Sequence, residues 1–447
     1  MQNKDALIKI YQKAAVDNNI PAELYTIYNV KKGLRNENKT GVLVGLTRIC
    51  DVVGYEMRDG QKVDIPGQLF YRGIEIKDFV ANCQIKPGAF EEVCFLLLFG
   101  KLPNESEYLN FCDYLKANYP LPKEFIDVNI LRLPAFNLLN KIQRALLMLY
   151  DYDTSADDIS GENTLLQGLN ILAKLPALAI YSYFGMLSAK NGQPLELPLP
   201  NPKLTMAENL LSLIRNNQAY SKTEAEVLDV IMALHADHGG GNNSTFANIV
   251  VSSTDTDLYS CLATAVGSLK GPKHGGANER VVAMMNDAIN QLGYTPSDEA
   301  LADYLGKLLD KQAFDKSGLI YGIGHAIYTV SDPRAEILYE YCQKLALTSE
   351  NQVKLAFYRN FEKAAVAYLK NNKQADFCIN VDFYSGLAYE MLNIPKELFL
   401  PIFVISRVVG WLAHNLENKL YCHKIIRPAT KYIGEYLTYQ DLKAGKK

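Results

Sequence analysis

Four of the chain's six histidines fall in glycine-rich turns of its C-terminal half. In ALHADHGGGNNSTF (233–246), His235 and His238 close a helical run. At i and i+3 they would share a helix face, which suits a capping role or a metal, although no HExxH and no carboxylate cluster accompanies them. In GPKHGGANERV (271–281), His274 precedes an apolar-periodic run and is expected at a helix N-terminus. The helix dipole there disfavours imidazolium, and a neutral imidazole can donate to a carbonyl oxygen as that oxygen gains charge. Taken alone, a turn histidine that caps the helix explains the same residues.

GIGHAIYTVSDPRAEIL (322–338) places His325 after a glycine-rich turn and Asp332-Pro333-Arg334 at a helix start. Aspartate as N-cap with proline at the first helical position is ordinary capping chemistry, which leaves His325 and Arg334 unexplained. Asp382, in NVDFYSGLAYEML (380–392), reads by default as another N-cap; the sharper reading is a general base. Arg407 is the only ionisable side chain between Phe399 and Trp411. A buried guanidinium needs a carboxylate, and that carboxylate belongs either to the protein or to a ligand held bidentately. With Arg427 of the later RP pair, the set suits a small anionic carbonyl substrate: arginines for carboxylates, imidazoles for carbonyl oxygens, aspartate for a carbon proton.

The elements that must position these groups are mostly helices. Residues 89–102, 140–150, 164–189, 223–236 and 396–417 carry apolar side chains every three or four positions. Alternation confined to residues 46–65 predicts a β-hairpin turning at Asp59-Gly60. The first twenty residues carry Asp5 and Lys9, so they read as an amphipathic helix and not as a targeting segment. The longest uninterrupted apolar stretch, LFLPIFVI (398–405), is far short of a membrane span.

With 447 residues, 48% of them hydrophobic, the chain can bury a large core in two or three domains. A net charge of −3 argues against a broad nucleic-acid surface. Eight scattered cysteines without a CxxC pair suit reduced, buried thiols in the cytoplasm.

The motifs together resemble the citrate synthase family. LHADHGGGNNSTF, GPKHGGANERV, GIGHAIYTVSDPRA, NVDFYSGLAYEMLNIP and the IFVISRVVGWLAH–RP tail occur in that family's order, and TGVLVGLTRICDVVGY with GQLFYRGI resembles its entry region. The resemblance implies an all-α, two-domain fold with minor β near the N-terminus. Residues 1–273 and 386–447 would form a large domain and residues 274–385 a smaller mobile one. It implies condensation of acetyl-CoA with oxaloacetate, then hydrolysis of citryl-CoA, by a cytoplasmic homodimer without cofactor or metal, and with no nucleic-acid or membrane partner. Asp382 would be the base, His274 the donor to the thioester oxygen, and Ser244 the residue that orients His274. His325 would polarise the ketone, with His238, Arg334 and Arg407 binding oxaloacetate and Arg427 reaching the partner subunit's site. The same residues would serve a 2-methylcitrate synthase using propionyl-CoA, or an inactive CoA- or carboxylate-binding relative. Three places depart from the family pattern. Gly239 stands where glutamate is common; Thr329-Val330 replace a basic residue that is a candidate CoA-phosphate contact, leaving Lys273 as a candidate cation; and Ala429-Thr430 follow the RP pair where a basic residue is common.

Overall fold

The computed structural model describes residues 2–38, 40–192 and 194–443. The chain divides into a unit of residues 46–425 and a second made from its two ends, 1–45 and 426–447. In the second unit, α1 (Gln2–Asp17) and α2 (Glu23–Ile27) precede irregular chain, and Lys431 lies 5.7 Å over the Tyr28 ring.

The larger unit opens with the expected hairpin. β1 (Cys50–Arg58) and β2 (Gln61–Tyr71) pair antiparallel across Asp59 and Gly60, both at positive φ, and β3 (Ile74–Glu75) adds a short third strand. A β-bulge between Val53 and Tyr55 bends β1. The hairpin packs so closely on residues 327–331 that a Cβ at Gly67 would lie 2.2 Å from the Ser331 carbonyl oxygen, and one at Gly54 2.6 Å from that of Ile327. Tyr328 donates its hydroxyl hydrogen to the Gln68 carbonyl (3.2 Å), so the sheet braces the loop that carries His325.

Helices follow. In chain order they are α3 (Ile76–Asn82), α4 (Ala89–Phe99), α5 (Glu105–Ala117), α6 (Leu138–Leu149), α7 (Gly161–Asn191), α8 (Met206–Ile214), α9 (Lys222–His235) and α10 (Asn243–Ser252). The rest are α11 (Leu258–Leu269), α12 (Ala277–Leu292), α13 (Asp298–Leu309), α14 (Pro333–Leu345), α15 (Ser349–Lys373), α16 (Asp382–Met391) and α17 (Phe399–Tyr421). Capping boxes start α5, α8 and α9 at Asn104/Glu107, Thr205/Glu208 and Ser221/Glu224, satisfying donors that helix geometry leaves open. The architecture is all-α apart from the three-stranded sheet.

α7 and the segment Lys396–Tyr421 are long and apolar enough to cross a bilayer, yet 72% and 83% of their apolar windows are buried inside the protein. Both are core helices. Ile402, Ile405, Val409 and Trp411 of α17 are fully enclosed; at about 1.5–3 kcal/mol per buried large apolar side chain, packing and not intrinsic propensity holds the helix. All eight cysteines are free thiols, and the expectation of burial fails at Cys83, which is half-buried, and at Cys422, which is exposed past the end of α17.

Candidate functional site

Helix α9 ends at His235, and His238 lies beyond it in non-helical chain, so the two rings do not share a helix face as their spacing suggests. Neither does the His235 ring cap the helix. Both its nitrogens are buried without a hydrogen-bond partner, and it packs on Phe403 at 4.8 Å. The helix end is closed from elsewhere: the Tyr71 hydroxyl lies 3.2, 3.2 and 3.0 Å from the carbonyls of Ala233, Leu234 and Asp237, and Arg407 Nε donates to the His235 carbonyl at 2.6 Å. His238 is buried with its ring edge-on to His325 (5.1 Å) and Tyr328 (5.6 Å), and its Nε2 has no partner. Burial, then the nearby charges of Arg334, His325 and Arg407, hold its pKa well below the ordinary histidine value. Among the described residues, no group of three His, Cys, Asp or Glu side chains is gathered as a metal site requires. Gly239 has φ +79, a conformation that a glutamate would adopt only under strain.

His274 sits in a turn closed by its own N–H to the Gly271 carbonyl (2.9 Å), two residues before Gly276, the N-cap of α12. Its Nε2 receives the backbone N–H of Ser244 at 3.3 Å and lies 3.1 Å from Ser244 Oγ. That hydroxyl donates to Asn242 Oδ1 (2.9 Å) and accepts from Trp411 Nε1 (3.2 Å). An N–H aimed at Nε2 needs a lone pair there, which puts the imidazole proton on Nδ1. The ring's pKa is lowered to about 4, first by burial and then by the Arg407 charge. Its neutrality therefore has a different origin from the helix dipole inferred from sequence; His274 stands outside the first turn, where that field is felt.

The His325 ring is turned the opposite way. Its Nδ1 accepts the backbone N–H groups of Ile327 (3.1 Å) and Tyr328 (3.0 Å), so Nε2 carries the proton. Tyr328 stacks on it at 4.5 Å. Asp332 is the N-cap of α14 but does more than cap. Its carboxylate takes Arg334 Nε (3.0 Å) and Nη2 (2.7 Å), and also the Val381 N–H (3.1 Å), joining α14 to the residue before Asp382. Burial would raise the Asp332 pKa, but the Arg334 guanidinium more than offsets it and holds the carboxyl below its usual range. Capping statistics gave no sign of this pairing.

Asp382 is not an N-cap. It is the first residue of α16, Val381 holds the cap position without a side-chain cap bond, and Asn380 Oδ1 takes the Asp382 N–H. Its carboxylate makes no hydrogen bond or ion pair among the described residues. Burial pushes its pKa up to about 6 against the lowering effect of Arg334 and Arg407, with Asp332 adding repulsion. Arg407, on α17, is buried, and no carboxylate of the described residues lies within ion-pair distance. Its Nη1 has no partner, and its guanidinium stands 4.6 Å over Phe403. Asp237 is the carboxylate acting on it from a distance; its Oδ2 is held by Gly239 N–H (3.1 Å) and His414 Nε2 (3.1 Å), while its Oδ1 is buried without a partner.

One open cleft of about 330 Å³ is lined by His238, His274, His325, Arg334, Asp382 and Arg407. Lys273 is exposed at its rim. Ser244 stands behind His274, and Arg427 is exposed in the unit built from the chain ends. Sequence reasoning missed Phe403, Asn242, Trp411 and Asn380. Only Asn242, in the GGGNN run, carried a local signal. The cleft offers several neutral or cationic donors and one carboxylate, an arrangement for an anionic substrate that must lose a proton.

A family model, "Citrate synthase, C-terminal domain", matches residues 36–429. The chain belongs to the citrate synthase family. Citrate synthases are acyl-CoA:oxaloacetate C-acyltransferases, so the family places the chain among transferases. It is 32% identical over 407 residues to the citrate synthase of Deinococcus radiodurans, covering 91% of this chain and 96% of that one. It is 34% identical over 368 residues to the 2-methylcitrate synthase of Shewanella oneidensis, covering 82% of this chain and 88% of the other. Among solved structures, citrate synthase from Thermotoga maritima MSB8 superposes with a TM-score of 0.71 at 28% identity, over 92% of this chain and 99% of that one. The fold is also that of Thermoplasma acidophilum citrate synthase in ternary complex with carboxymethyl coenzyme A and oxaloacetate (TM-score 0.74, 24% identity, 92% and 99% covered).

Proposed function

We propose that this citrate synthase family member condenses acetyl-CoA with oxaloacetate and hydrolyses the resulting citryl-CoA to citrate and CoA. The observation that carries the reading is Arg407: a buried guanidinium without a protein carboxylate, on the wall of a cleft whose one carboxylate is Asp382. A substrate carboxylate supplies the charge that Arg407 lacks, since an unpaired buried cation costs several kcal/mol. Arg334, already oriented by Asp332, and His238 take the other polar groups of oxaloacetate.

Asp382 then removes a proton from the acetyl methyl group. His274 Nδ1–H donates to the thioester oxygen as it becomes enolate-like, which a neutral ring near pKa 4 can do without first being protonated. The enol carbon attacks the ketone carbon of oxaloacetate while His325 Nε2–H stabilises the forming alkoxide. Water finally cleaves the thioester and frees CoA. No metal or cofactor is needed in this scheme. Residues 274–385 act as the smaller domain that closes over the substrates, and 1–273 with 386–447 as the larger one. Arg427 reaches the active site of a second subunit, making the unit of function a homodimer. Exposed Leu147 and Met148 on α6 and Leu7, Ile10 and Tyr11 on α1 support such an association. The unpaired cysteines support a cytoplasmic location.

Thiol release from acetyl-CoA and propionyl-CoA, with and without oxaloacetate, tests the reading. Release that depends on oxaloacetate and favours acetyl-CoA is expected; preference for propionyl-CoA would rename it a 2-methylcitrate synthase. No release from either would leave a CoA- or carboxylate-binding relative. The pH dependence is a second expectation. Protonated Asp382 is no base, so kcat/KM should fall as pH drops through about 6, approaching tenfold per pH unit. His274, with its pKa near 4, stays neutral through that range. A pH–rate profile whose acid limb begins only near the ordinary aspartate value, roughly 4, would contradict the assignment.

A further inference from the structure

Asn380 lies where the chain carrying His325 meets the chain carrying Asp382. Residues 322–324 and 378–380 run antiparallel, with Ile323 opposite Ile379. Gly324 N–H donates to the Cys378 carbonyl at 2.8 Å, and Asn380 N–H to the Gly322 carbonyl at 2.9 Å. The Asn380 side chain adds two bonds of its own. Its Nδ2 donates to the Gly324 carbonyl (3.0 Å), and its Oδ1 accepts the Asp382 N–H (3.0 Å). Only one orientation of the amide satisfies both, because its nitrogen must face a carbonyl and its oxygen an N–H. Asp382 opens α16, whose first backbone N–H groups lack intrahelical partners, and the Asn380 amide oxygen takes that of Asp382. The amide therefore fastens the peptide before His325 to the peptide of Asp382, and its side chain also borders the cleft.

We propose that Asn380 is a positioning residue for the condensation: it sets the distance between the base on Asp382 and the ketone-polarising N–H of His325. This rests on the reaction proposed above. The new carbon–carbon bond joins the carbon deprotonated at Asp382 to the carbon polarised at His325, so a drift between the two segments separates the reacting atoms. Misplacement by about 1 Å is enough to lower rates on the order of 100-fold.

The test compares Asn380→Ala and Asn380→Asp in the full-length protein. Asn380→Ala loses both bonds, and kcat is expected to fall about 10–100-fold with KM for either substrate little changed. Asn380→Asp is the informative variant. Ionised, it sets an anionic oxygen against the Gly324 carbonyl; protonated, its O–H donates there while its C=O still accepts Asp382 N–H. The ratio of its kcat to that of the parent protein should therefore rise as pH falls, by about tenfold between roughly pH 8 and pH 5.5, while the alanine ratio stays flat. A second carboxylate beside Asp382 raises the Asp382 pKa and pulls the ratio down at acid pH, so a ratio that rises there reports the restored bond. Should Asn380→Ala fail to fold, the Asn380→Asp ratio carries the test alone. An alanine variant within about threefold of parental kcat would overturn the proposal. So would an aspartate variant with a deficit independent of pH, which marks a turn residue without a role in alignment. Absence of thiol release by the parent protein would instead overturn the functional reading beneath it.

Discussion

Asp382→Asn is expected to lower kcat by about 10²–10⁴-fold, the span that a positioned general base contributes. The substitution is nearly isosteric, and the carboxylate it replaces has no hydrogen bond or ion pair to lose among the described residues. Stability should move the other way. The Asp382 pKa is raised to about 6 by burial, so the folded state binds its proton more tightly than the unfolded chain does. That contribution to stability is fully present below the unfolded value near 4 and is lost as pH rises through about 6. Above that, keeping the carboxylate ionised costs on the order of 1–3 kcal/mol, which neutral asparagine avoids. An inactive variant with an unchanged or higher Tm at about pH 8 is the expected pair of results. Near-parental turnover of acetyl-CoA would remove Asp382 from the base role.

Arg407→Leu should raise the Kd for oxaloacetate by about 10²–10³-fold, the range for truncating one partner of a buried charge pair. In the free protein the guanidinium is buried with Nη1 unpartnered, and burial already pulls its pKa below the usual arginine value. Leucine removes that desolvated charge and fills similar space, although it forfeits the bond to the His235 carbonyl and the contact with the Phe403 ring. Tm of the unliganded variant is accordingly expected to be level with or above that of the parent, while oxaloacetate no longer stabilises it. Calorimetric titration and thermal unfolding with and without oxaloacetate measure both. Undiminished affinity would mean that Arg407 faces no substrate carboxylate. A large loss of Tm would mean that its partner is within the protein after all.

The helices were legible because their apolar faces recur at helical spacing over long runs, as in 164–189 within α7 and 223–236 beside α9. Boundaries moved where a terminator acts locally: α4 stops at Phe99 because Gly100 takes the left-handed conformation, three residues before the end read from periodicity. The strand signal stopped at residue 65, but β2 runs on to Tyr71, because pairing with β1 and β3 continues past Pro66 and Gly67. Asp332 and Asp382 show where local reading misleads. Both precede helical runs and both look like caps, yet Asp332 caps and also clamps Arg334, while Asp382 caps nothing.

By itself the sequence determined which chemical groups are available and in what order along the chain. It also determined that an arginine would stand in an apolar helix, and that glycine-rich turns would present His274 and His325. Those are properties of composition and short-range spacing. Tertiary structure alone decided the states of these groups. The proton sits on Nδ1 of His274 because Ser244, thirty residues away, aims an N–H at Nε2. It sits on Nε2 of His325 because that loop folds back on Nδ1. The pKa of Asp382 rises, and that of Arg407 falls, because packing around them excludes water, and the fold brings no carboxylate of the described residues within ion-pair distance of Arg407. Desolvation and hydrogen-bond direction depend on what surrounds a side chain in space, and neighbours along the chain do not supply that.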